Sequence, residues 1–245
     1  MTNNYLVSIR PDYELATRYG AAWLMQILNA ATNKGLPFTD LYKSQATRSN
    51  FFSEINANDP ALVHIFGHGN YTQIACQNNE LLLQAGVNDD ILANRIVYDL
   101  SCEAGRDLGP SAVSKGAISF LGYNEDFIFI VSDGSHPDGG MTNPTQDEAA
   151  RGFFESHNAA PISYIQKKNL ARSFTDSQNS FNYWIDVWKS IDANVVSLLV
   201  WDRDHQVIIP TPSPSGGGFP LLLMFAGLMF FIPVITKNLK RMKPL

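Results

Sequence analysis

"ALVHIFGHGN", Ala61 to Asn70, and "RIVYDLSCEAG", Arg95 to Gly105, decide how this chain is read. In each, an apolar run leads into a chemically active residue with glycine nearby: His68 between Gly67 and Gly69, and Cys102 shortly before Gly105. Almost continuously apolar runs are what strands show when helices cover both faces of their sheet. The surrounding sequence supplies such helices. "YLVSIR" (Tyr5 to Arg10) reads as a first strand. The helix after it carries Ala16, Tyr19, Trp23, Ile27 and Ala30 on one face and ends near Gly35. "FTDLYK" reads as a second strand, and "SQATRSNFFSEINAND" as a helix capped at Ser44 or Thr47.

Beyond "ALVHIF", the third strand, "YTQIACQNNELLLQAGV" reads as a hairpin turning at Asn78-Asn79. "RIVYDL" is the fourth core strand, "GPSAVSKG" a short helix, "AISFLGY" the fifth strand and "DFIFIVS" a sixth. A polar loop, Asp133 to Glu148, precedes two helical segments, "DEAARGFFESHNAAPISYIQKK" and "SFNYWIDVWKSI". "NVVSLLVW" is then expected to be a last strand, extended by "QVIIP". Strands alternating with helices predict an α/β fold with a mostly parallel sheet. Such sheets form their sites at the carboxyl ends of the strands. His68 and Cys102 both stand just past such ends and face one crevice if strands three and four are neighbours.

The residue types fit nucleophilic chemistry. A cysteine attacks as its thiolate, and a nearby histidine can take the proton. Glycine beside the histidine lets a backbone N–H approach a substrate carbonyl and hold its oxyanion. A lone histidine or cysteine carries little information, since both are common buried residues. The pair at matching strand ends carries more. Of the other candidates, His64 shares a strand face with Leu62 and Phe66 and reads as a core histidine, and Cys76 as a small packing residue in the hairpin. Phe181, Trp184 and Trp188 recur at helical spacing and read as core. His136, His157 and His205 lack metal-ligand spacing. "DGSHPDGG" lacks the ligand spacing and terminal glutamate of a calcium loop, and "GHGNYT" lacks the third glycine of a dinucleotide loop. No metal and no cofactor are expected. Composition agrees: a net charge of -5 over 245 residues argues against a general nucleic-acid binder. Two cysteines are too few for a disulfide framework.

"HIFGHGN" resembles the histidine motif of CHAT and gingipain domains, and "LSCEAG" the CHAT-type cysteine motif with one residue fewer between Ser101 and Cys102. "KGAISFLGY" is similar to the strand that follows the nucleophile in the same group, the caspase-fold cysteine peptidases. The resemblance spans roughly Tyr5 to Ile209. It implies a caspase-like three-layer sandwich in which His68 is the general base and Cys102 the nucleophile. It also implies an oxyanion hole from the backbone N–H groups of Gly69 and Cys102, and a protein or peptide substrate. Members that cut after Arg or Lys often carry an acid two residues before the cysteine; here that position is Leu100, and Asp99 lies three before. A one-residue shift turns a strand side chain to the other face, so Asp99 is expected to be a buried, paired acid. Glu125, Asp126 and Asp133, after the fifth strand, are candidate pocket residues, and each read singly is equally a solvated loop residue. Together they suggest a basic residue on the amino side of the cut. A catalytically silent scaffold or binding subunit is the alternative, and no activating partner is legible.

Residues 1–209 are thus expected to form the peptidase domain. A Pro/Ser/Gly tether (210–218) then leads to "FPLLLMFAGLMFFIPVIT", Phe219 to Thr236, uncharged and about 27 Å long as a helix at about 1.5 Å per residue, enough to span a thin bilayer. The tail (237–245) carries Lys237, Lys240, Arg241 and Lys243. The N-terminus shows no secretory signal, so a single-pass membrane protein with a cytoplasmic catalytic domain is expected. The basic tail pulls towards the opposite topology, a domain exported to the cell surface.

Overall fold

The computed structural model describes residues 2–211. Its centre is a six-stranded sheet in the order β2-β1-β3-β7-β8-β9. These strands are β1 (Asn3–Arg10), β2 (Phe38–Tyr42), β3 (Pro60–Phe66), β7 (Ile96–Leu100), β8 (Ser119–Tyr123) and β9 (Gln206–Pro210). All pair in parallel except β9, which runs antiparallel to β8. Between β3 and β7 in the chain, β4 (His68–Gly69), β5 (Gln73–Ala75) and β6 (Leu81–Gln84) form a small antiparallel sheet. It contains the expected hairpin, with Asn78 and Asn79 at positive φ in its turn.

Alternation along the buried strands divides the core in two. Leu62, Phe66, Tyr98, Leu100, Leu121 and Tyr123 face one side. There they meet α1 (Leu15–Trp23), α2 (Met25–Lys34), α5 (Glu148–Lys167), α6 (Leu170–Trp188) and α7 (Ala193–His205). Val63, Ile65, Val97 and Phe120 face the other, against α3 (Arg48–Asn58), α4 (Leu108–Ser114) and the small sheet. The result is the expected three-layer α/β sandwich. Thr47 caps α3 by accepting from Asn50 N, and Gly35 ends α2 in the left-handed conformation at φ 67°.

Two expectations are corrected. "NVVSLLVW" lies in helix α7, capped by the Asp192 side chain on Asn194 N. Only Val195, Leu199 and Asp202 of α7 are buried, a helical spacing hidden inside an apolar run. "DFIFIVS" is not a strand. The free edge of β8 is taken by β9, and the backbone of this segment is held by side chains instead: Ile128 N donates to Asp202 and Ser132 N to Asp147. The expected membrane helix (219–236) and basic tail (237–245) lie outside the described residues, as does the tether beyond Thr211. Among the described residues no helix is long and apolar enough to cross a membrane.

Candidate active site

β3 and β7 are adjacent, parallel and in register, with Phe66 opposite Leu100. His68 and Cys102 therefore each leave the same sheet end two residues past a matched pair. The chain order reverses between β1 and β3, and that is where an α/β sheet opens its crevice. Four loops meet there, those following β1, β3, β7 and β8.

Gly69 seats the histidine loop on the cysteine loop. A Cβ at this position would fall 2.4 Å from the Cys102 carbonyl oxygen and 3.1 Å from its amide nitrogen. The sequence reading expected that space to admit substrate; it is filled by the backbone of Cys102 itself, so the glycine is required for loop against loop. Glu103, directly after the cysteine, has a φ of 59°. For a residue with a Cβ this is a costly conformation of the kind that collects at functional sites.

His68 is mostly buried, and its Nε2 lies 3.3 Å from Glu14 Oε1. The ring of Tyr13 meets it edge-on at 6.1 Å between centroids. Glu14 is the N-cap of α1, accepting from Thr17 N while the Thr17 hydroxyl accepts from Glu14 N. Burial pushes the Glu14 carboxyl up, but its bonds to His68 and Thr17 outweigh this and leave it below its ordinary value. α1 is drawn onto β3 because Gly20 lies against the Phe66 ring, where a Cβ would sit 2.0 Å from Cζ. The sequence reading missed Glu14. Its available signal was a helix cap at the end of a core strand beside the histidine strand.

Cys102 is 4% exposed. Its thiol points at the Phe127 carbonyl oxygen, 3.9 Å away, and shares no hydrogen bond with His68. Burial pushes the thiol well above its ordinary range, with Asp126, Asp202 and Glu103 adding negative potential against a smaller lowering by the Phe127 contact. Of the expected pocket residues, Asp126 belongs to this cluster and its Oδ1 is buried without a partner. The Glu125 carbonyl accepts from Glu103 N. Asp133 is exposed, on the stretch fixed by Asp147. Asp202 on α7, not anticipated from the sequence, is fully buried. It accepts from Ile128 N at 3.0 Å and leaves Oδ2 unpartnered. Asp99 is buried as expected but not paired with a cation: Ser101 Oγ donates to one oxygen at 2.8 Å and the other has no partner. Burial raises the carboxyls of both Asp99 and Asp202 well above their ordinary value. Among the described residues no cluster of three or more metal-ligating side chains occurs.

No family model matches the sequence, and no curated protein matches it either. Solved structures do resemble the fold. The complex of the Porphyromonas gingivalis RgpB pro- and mature domains superposes with a TM-score of 0.56 at 11% identity, covering 85% of this chain and 47% of that one. The Arg-specific cysteine proteinase gingipain R (RGPB) gives 0.52 at 11% identity, covering 86% and 46%. The chain thus spans just under half the length of these gingipain chains. The likeness is one of fold: an α/β domain with a mostly parallel sheet, similar to the caspase-like fold of the gingipain cysteine proteinases.

Proposed function

We propose that this chain is a caspase-like cysteine endopeptidase in which His68 is the base, Cys102 the nucleophile and Glu14 the group that orients His68. The observation that carries the reading is the seating of Gly69 on the Cys102 backbone, with the neighbouring His68 held 3.3 Å from the Glu14 carboxylate. Histidine between an acid and a nucleophile is the arrangement general-base activation requires. In this reading His68 takes the thiol proton and Sγ attacks the scissile carbonyl. The backbone N–H groups of Gly69 and Cys102 hold the oxyanion. His68 then returns the proton to the leaving amine, and water attacks the thioester. The unpartnered buried oxygen of Asp126 supports a preference for a basic residue on the amino side of the cut, since a buried acceptor without a donor favours a ligand that supplies one. Residues 210–218 and 219–236 tether the domain to a membrane, with the domain facing the cytoplasm. Extraction by carbonate would refute the tether, and protease protection in sealed vesicles reports the side.

A peptide-library digest tests the activity. Cleavage after Arg or Lys by the parent, absent in Cys102→Ala, is the expected result; no cleavage of any peptide by the parent removes the reading. The buried thiol, with no bond to His68, favours a second reading, a silent scaffold. Under it, Cys102 and Cys76 of the parent would react equally slowly with iodoacetamide, and His68→Ala would change neither rate.

A further inference from the structure

We propose that residues 125–131 form a lid, closed over Cys102 in this structure and latched to helix α7 through Asp202 and Trp201. The proposal concerns regulation of the site above and rests on the reading of Cys102 as its nucleophile.

The segment has no strand partner, yet it is fixed at successive points. The Glu125 carbonyl accepts from Glu103 N at 3.1 Å. The Asp126 carbonyl accepts from Trp201 Nε1 at 2.9 Å, and Ile128 N donates to Asp202 at 3.0 Å. Phe127, held between these two bonds, turns its carbonyl to the thiol and its ring into the core against Tyr123, with centroids 4.9 Å apart. With the Phe127 carbonyl 3.9 Å from Cys102 Sγ and the thiol residue 4% exposed, no open surface is left for a substrate carbonyl to reach the sulfur. The closed form thus buries the thiol in a place where substrate cannot approach.

The latch is asymmetric. Asp202 is fully buried, yet one of its oxygens has no hydrogen-bond partner; the same holds for Asp126 Oδ1 and Asn124 Oδ1. A buried polar group left without a partner weakens the state that buries it. Closure therefore leaves three polar oxygens unpaired, all on or against the lid, and a polar ligand that pairs with them favours the open form through its differential affinity. At the lid's rim Trp201 is 37% exposed and packs against His205, with ring centroids 4.0 Å apart and the planes tilted by 41°. One of the two latch bonds can therefore be removed without disturbing the core.

The test uses the full chain in detergent and reads alkylation, which needs no peptide substrate. Iodoacetamide modification of Cys102 and Cys76 is followed by mass spectrometry in the parent, in Trp201→Phe, which lacks the indole N–H, and in Asp202→Ala. Buried Cys76 serves as the internal measure of general loosening. Each variant is expected to raise the Cys102 rate about tenfold, the scale of one lost hydrogen bond, with Cys76 unchanged. An unchanged Cys102 rate in Trp201→Phe, or a rise shared equally by Cys76 in that variant, overturns the lid. A selective rise at Cys102 without peptide cleavage in any variant leaves the lid standing and removes the peptidase reading instead.

Discussion

His64 and His68 lie four residues apart, and the fold treats them in opposite ways. His64 is in the middle of β3, fully buried, with Nδ1 3.4 Å from Ser8 Oγ and Nε2 without a partner. Its ring meets that of His157 on α5 at 5.8 Å. Burial first, then the charge of Arg10, pushes it down to about 3. His68 stands past the strand end, partly open, with a carboxylate for a partner. The first environment suppresses proton uptake; the second gives the ring a carboxylate at 3.3 Å. The cysteines repeat the contrast less sharply. Burial and then Glu80 push Cys76 up to about 12, and its thiol donates to the Glu80 carbonyl at 3.4 Å. Cys102 is as buried, but it adjoins a strained residue, a histidine loop and several acceptors without donors. Burial of the thiol does not separate the two cysteines; their neighbours do.

The sharpest way to break the contrast is to exchange the cysteines' fates. Cys102→Ala is expected to lower kcat/KM by at least about 10⁴-fold, because the covalent route is lost. Cys76→Ala is expected to leave kcat/KM within about twofold and to cost about 1–2 kcal/mol of stability by leaving a small cavity. Peptide hydrolysis and urea unfolding measure both. Comparable activity losses would dissolve the distinction between the two sites.

A smaller effect is expected at Glu14. Glu14→Gln keeps an oxygen for Thr17 N but removes the charge that faces His68. kcat is expected to fall about 10²-fold, within the usual range for general acid–base assistance. Stability decides whether the effect runs through His68. Glu14→Gln should unfold in urea within about 1 kcal/mol of the parent, because its amide oxygen still caps α1. A fall in kcat accompanied by a larger loss of stability would make Glu14 a helix cap and nothing more.

How much of this was legible in the sequence depends on where the information is stored. β3, β7 and β8 were readable because continuous apolar runs are what doubly covered strands require; His68 and Cys102 followed from those strands' ends. α7 was misread because "VVSLLVW" is apolar at nearly every position, so burial of only Val195, Leu199 and Asp202 leaves no visible period. The 126–132 segment has strand composition, but the edge of β8, the strand it follows, is taken by β9. Glu14 and Asp202 were invisible for a different reason. They are 188 positions apart in the chain, and their meaning comes only from the strand order that places the β1 loop and α7 around one sheet end.

The smallest expected effect sharpens the histidine contrast through pH. His64 holds its ordinary value near 6.5 only when unfolded, and about 3 when folded. Between those values the unfolded chain binds a proton that the folded chain refuses, so stability falls as the pH drops. His157, lowered by burial and then by His64, acts in the same direction. Asp99 and Asp202 act in the opposite one: raised by burial, they hold protons in the folded state that the unfolded chain has lost, so their contribution grows as the pH drops. The parent's slope is the sum of these opposing terms and does not isolate the histidine. The difference between variants does. His64→Leu keeps the volume roughly constant and removes one refused proton. Its stability relative to the parent is therefore expected to rise by up to about 1.4 kcal/mol for each pH unit between about 6 and 4. Urea unfolding of both proteins across that range measures it. A difference independent of pH would mean that His64 takes up its proton in the folded state, and that the interior of β3 is not the dry counterpart of its carboxyl end.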